Sequence, residues 1–98
     1  MARPERFALE VPGQIGVGPA ANVFRFRDKT VQISGVFVAS VQLEGSIDGD
    51  AFAPIGAPVT EPGFVAVPVT VELLRVRIAE LTSGALSATF AGFDYRAL

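Results

Sequence analysis

The sequence predicts an all-β fold, a single-domain antiparallel β-sandwich, with a small β-barrel as the alternative. Three observations carry this. No stretch shows a convincing 3.6-residue apolar period; Val, Ile, Phe and Thr recur in short runs; and those runs are broken by ten Gly and seven Pro. A chain of 98 residues is one domain, and seven or eight short strands in that length fill a sandwich.

The expected strands, in order, cover residues 6–11, 22–27, 30–34, 36–47, 51–56, 63–71, 72–80 and 85–95. Residues 1–22 read as an N-terminal arm, or a first strand, followed by a Gly/Pro-rich connection, and residues 23–98 as the sandwich domain. Pro4, Pro12 and Pro19 interrupt any long ladder there, and Gly13, Gly16 and Gly18 keep the backbone pliable. In 36–47, Phe37, Ala39, Val41, Leu43, Gly45 and Ile47 share one parity and Ser40, Gln42, Glu44, Ser46 and Asp48 the other, the pattern of a half-buried strand. Asp48-Gly49 then signals a two-residue type I′ turn. That turn pairs Ile47 with Asp50 and Gly45 with Phe52, laying the Phe52 ring over Gly45. Pro54 and Pro58 cannot donate ladder hydrogen bonds, so the returning strand is expected to be short or at an edge. The run 69–81, "VTVELLRVRIAEL", contains a helix-like Glu72-Leu73-Leu74. Arg75-Val76-Arg77-Ile78 nevertheless alternates strictly and Thr70 and Val71 are β-branched, which favours a strand. The expected core is Phe24, Phe26, Phe37, Val41, Leu43, Phe52, Leu74, Val76, Ile78, Leu86 and Phe90.

Composition narrows the chemistry. With no Cys and no His, the chain lacks thiol nucleophiles, disulfides, imidazole acid–base groups and the usual zinc or iron ligands. Ser34, Ser40, Ser46, Ser83 and Ser87 have no histidine base and no nucleophile elbow. Nothing in the sequence brings Glu72 to Glu80 or Asp28 to Asp94 as a working carboxylate pair. Asp48 and Asp50 supply too few oxygens for calcium, and the glycines of 12–22 precede neither a helix nor a Lys-Ser/Thr, as a phosphate-binding loop requires. No enzymatic activity, cofactor or metal site is therefore expected. Eight basic and ten acidic residues leave a net charge of −2, without the clustered basic face of a nucleic-acid binder. The N-terminus has no apolar run of secretory length and no segment reaches 18 apolar residues, so the chain reads as intracellularly made, unprocessed and independent of membranes. Charged residues are only 18% and mean hydropathy is +0.46, against about 25% charged residues in an ordinary soluble domain. Part of the surface is thus expected to be covered by a partner.

Taken together, "VQLEGSIDGDAFAPIG" (41–56), "LLRVRIAEL" (73–81) and "GALSATFAGFDYR" (84–96) resemble small β-rich structural proteins of tailed bacteriophage virions, of the capsid decoration or head auxiliary type. The likeness covers roughly residues 36–95. It implies a virion protein assembled in the host cytoplasm. Its role would be to bind and stabilise an assembled shell through the major capsid or another virion protein, as a homo-oligomer. The competing reading is a carbohydrate-binding or adhesion module, which the absence of Trp and the single Tyr disfavour.

The expected partner-binding residues are Arg25, Arg27, Arg75, Arg77, Phe93 and Tyr95. Leu86, Ala88 and Phe90 take the core parity of the last strand, so Phe93 and Tyr95 point outward unless a bulge at Gly92 flips them. The four arginines take the outward parity of their own strands. Arginine and aromatic side chains are the types enriched at binding hot spots.

Overall fold

The computed structural model describes residues 3–94. They form seven strands and no helix: β1 (Pro4–Leu9), β2 (Gly16–Val17), β3 (Ala21–Asn22), β4 (Phe26–Ser46), β5 (Ala53–Val59), β6 (Gly63–Val67) and β7 (Leu73–Asp94). All pairings are antiparallel and belong to one open sheet. β4 and β7 form its centre, pairing from Phe26 opposite Asp94 to Ser46 opposite Leu73. β1, β2 and β3 follow one another along the outer edge of β7, and β5 and β6 do the same along β4.

The central ribbon folds double. A straight strand from Phe26 to Ser46 would run about 66 Å at roughly 3.3 Å per residue, yet the molecule is 43 Å in its longest dimension. Asn22 pairs with Leu73 at one end of β7, and Phe26, only four residues later, pairs with Asp94 at the other. The all-β sandwich that the sequence predicts is therefore one sheet bent onto itself. One layer holds β1, β6 and the halves of β4 and β7 nearest Phe26 and Asp94. The other holds β2, β3, β5 and the remaining halves.

Two glycines make the bend. Gly35 and Gly84 sit at φ +117° and +85°, near each other on the two central strands. A β-carbon on Gly84 would run into the carbonyl oxygen of Val36, so only glycine fits. Register shifts after Val38 and Ser40 leave Thr82 and Ala79 of β7 without a partner on β4, and such bulges sharpen a strand's curvature. Because β7 takes both extra residues, its inward parity is the same on either side of the bend: Leu74, Val76 and Ile78 before it, Ala88 and Phe90 after it.

The core lies between the layers. Val31, Ile33, Val65, Ala88 and Phe90 from one layer join Val41, Leu43, Ile55, Leu74 and Val76 from the other, with Val71 and Leu9 closing the sides. Phe90 is its largest fully buried side chain, stacked on Phe7 at 4.7 Å and edge-on to Phe26 at 5.1 Å between ring centroids.

Several sequence expectations change. The segments 30–34 and 36–47 are one strand, as are 72–80 and 85–95, because Gly35 and Gly84 bend the ribbon without ending it. Phe24 is 59% exposed: the Asn22 side-chain carbonyl accepts a hydrogen bond from the Phe24 amide, and the chain turns there. Ile47 is 72% exposed because β4 stops at Ser46. No type I′ turn forms at Asp48-Gly49, since Gly49 has positive φ and Asp48 does not. Gly45 pairs with Ala53, one residue away from the expected Phe52, and a one-residue slip moves a side chain to the opposite face. The space over Gly45 is occupied by Ile55 and Val71. At Gly92 the parity of β7 does not flip. The bulge falls on β4, where Asp28, at φ 51°, and Lys29 stand against that single glycine. β5 does lie at the sheet edge, as its prolines imply.

Candidate partner-binding surfaces

The structure divides the six expected residues. Arg75 and Arg77 lie on the outer face of the β5 layer. Arg75 sits opposite Glu44 across the β4–β7 ladder, and its Nε donates to Glu44 Oε1 at 2.8 Å. Arg77 approaches Glu44 Oε2 at 3.7 Å. The slipped hairpin brings Phe52 to this same face, and the Arg75 guanidinium stacks 3.7 Å from its ring centroid. Glu44 is left only 7% exposed. Arg75 is thus committed to an intramolecular cluster, and Arg77, with half its side chain exposed, is the cation this face offers to solvent.

Arg25, Arg27 and Phe93 belong to the other layer. Arg25 Nε donates to Asp94 Oδ2 at 2.9 Å, and its guanidinium lies 4.3 Å from the Phe26 ring centroid. Arg27 is exposed and pairs with Phe93, which is half-buried and also pairs with Pro4 of β1. The bulge beside them turns Lys29 inward, with its Nζ 3.5 Å from the Phe26 carbonyl oxygen. Arg27 and Phe93 form one small outward cluster and Arg77 belongs to another, with the core between them. Tyr95 lies outside the described residues.

The polar residues at the hairpin tip serve the turn. Asp48 Oδ1 accepts hydrogen bonds from the amides of Asp50, at 2.8 Å, and Ala51, at 3.0 Å. Ser46 Oγ donates to the same oxygen and accepts from the Gly49 amide. The two backbone donors and the Ser46 hydroxyl hold the Asp48 carboxyl below its ordinary pKa of 3.8. Ser34 and Ser87 face each other across the ladder, Oγ to Oγ 2.9 Å. Among the described residues no three His, Cys, Asp or Glu side chains converge.

A larger surface feature has no counterpart in the sequence reading. Between β5 and the segment from β6 to Val71 runs an open groove of about 880 Å³, walled by Ile55, Val59, Val65, Val69 and Val71, with exposed Phe64 and Ile47 at its rim. It lies where the two layers' outermost strands face each other. The fold-over creates it, so no local pattern marks it.

No family model matches the chain, and no curated protein matches it. Among solved structures, the chain is similar to the crystal structure of the SPBc2 prophage-derived protein YomS. The match has a TM-score of 0.79 and 11% sequence identity, and it covers 95% of each chain. The fold is shared across the whole domain with a prophage-derived protein.

Proposed function

We propose that the chain is a non-enzymatic structural component of a bacteriophage virion that binds an assembled capsid as a decoration protein. The observation that carries this reading is the likeness in fold to a prophage-derived protein over 95% of both chains. The surface chemistry supports it. The chain is poor in charge and has no His or Cys, and its buried carboxylates Glu44 and Asp94 are engaged by arginines within the fold. The expected contact residues are Arg77 on one face and the Arg27–Phe93 cluster on the other, each the type of group that anchors protein interfaces.

Co-sedimentation with purified phage heads tests the reading, with the same protein passed over a glycan array as the competing arm. Saturable binding to heads, weakened by Arg27→Ser or Arg77→Ser in proteins of unchanged stability, is the expected result. Binding to a defined glycan without head binding would overturn it.

A further inference from the structure

The ten residues 62–71, "PGFVAVPVTV", carry no charge. They supply β6, which pairs with β4 along one edge and has no strand beside its other edge among the described residues. A free edge presents a row of backbone donors and acceptors ready to pair with another chain, and proteins usually block it with charge, proline or a bulge. β5 carries such protection in Pro54 and Pro58. β6 carries none between Gly63 and Val67, and its flanking prolines, Pro62 and Pro68, stand outside the strand.

The surroundings of that edge are apolar. Phe64 is 74% exposed and Val69 47%. Both line the groove beside β6, along with Ile47. Of the nineteen residues lining it, Asp48 is the single charged one.

We infer that this face is a self-association surface, in which β6 of one copy pairs antiparallel with β6 of a second copy about a two-fold axis, each Phe64 packing against the other's groove. Neutrality selects the occupant. A charged partner would find Asp48 alone as counter-charge in the groove and none along β6, whereas two copies of the uncharged, Val-rich β6 edge meet with no like-charge repulsion along it, and antiparallel pairing is compatible with two-fold symmetry. Size agrees as well. Five paired residues span only about 17 Å, too small a contact to hold alone. The groove extends it: fourteen of its nineteen lining residues are solvent-accessible, somewhat below the roughly 20 residues per side of a standard interface, as suits a weak dimer.

Sedimentation equilibrium of the full chain up to about 100 µM tests this, at about 50 and 500 mM salt, where surface charge interactions are respectively weakly and strongly screened. A dimer of equal strength at both salts is expected. Phe64→Asp and Ala66→Lys, both at exposed outward positions of β6, should each weaken it about 30-fold or more, as loss of an interface hot spot does. Thr82→Lys at the distant bend should leave it unchanged. Amide exchange of residues 63–67 in the unmodified chain should slow as concentration rises, a readout independent of whether either variant folds. A monomer at the highest concentration, β6 amides indifferent to concentration, or a dimer broken by Arg77→Ser and salt would overturn the proposal. Head binding by a strictly monomeric chain would sink the self-association alone, and a dimer that ignores heads would sink the capsid reading alone.

Discussion

Gly45 and Asp48 both belong to the hairpin tip but do opposite things there, one by lacking a side chain and the other through its carboxylate. A β-carbon at Gly45 would stand 2.7 Å from Ile55 Cδ1 and 2.9 Å from Val71 Cγ1. Those are core side chains held by both layers, so neither yields freely. Gly45→Ala is expected to lower the unfolding free energy by about 1–3 kcal/mol, the usual cost of overpacking, read as a lower denaturant midpoint at unchanged slope. Asp48 acts through protonation. Its folded pKa lies below the ordinary 3.8, so it stabilises the fold above that value and loses the contribution as pH falls through the folded pKa. The stability difference between the wild type and Asp48→Asn should therefore shrink on acidification below about pH 3.8, and the Asp48 carboxyl carbon should titrate below 3.8 by NMR.

At the scale of elements, the bend in the β4–β7 ribbon decides the architecture. Gly84 combines positive φ with backbone in the way of any β-carbon, and backbone in a paired ladder cannot rotate aside as a side chain can. Gly84→Ala should cost about 2–5 kcal/mol, combining strain and overpacking, and more than Gly45→Ala. Gly13, in the connection between β1 and β2, has open space around its missing β-carbon and no positive φ. Gly13→Ala should be neutral or stabilising by up to about 1 kcal/mol, through the reduced freedom of the unfolded chain. Equal effects at the two glycines in chemical denaturation would refute the assignment of the bend.

For the molecule as a whole, folding one sheet double means that neither layer owns a core. Phe90 in one layer and Leu74 in the other are both fully buried, and each layer alone would expose the face it buries. Unfolding should therefore be a single transition, with far-UV and near-UV circular dichroism coincident. Phe90→Ala should shift both signals together by about 3–5 kcal/mol. Separated transitions would mean that the layers fold independently. Phe26 pairs with Asp94 across most of the chain, so refolding should also be slow for the size, in milliseconds to seconds.

The sequence by itself determined the all-β class, the edge position of β5 and seven of the eleven core residues it named. Each rests on local chemistry: alternation along a strand, proline's missing donor, and the burial of Val41, Leu43, Leu74, Val76, Ile78 and Phe90 that alternation implies. Arg27, Arg75, Arg77 and Phe93 take the outer side of their strands, as alternation implies, whereas Arg25 stands in the turn before β4 and Tyr95 lies outside the described residues. Tertiary structure alone decided the rest. Glycine reads as punctuation, and whether Gly35 and Gly84 end strands or bend them depends on a facing backbone that lies far away in sequence. The one-residue slip at Gly45 followed from the packing of Ile55 and Val71 and from the Asp48 turn. That slip carried Phe52 from the expected core to the outer face, where it buries Glu44 against Arg75. The groove beside β6 exists because the ribbon folds over and brings together the outer edges of two layers, which no local pattern records.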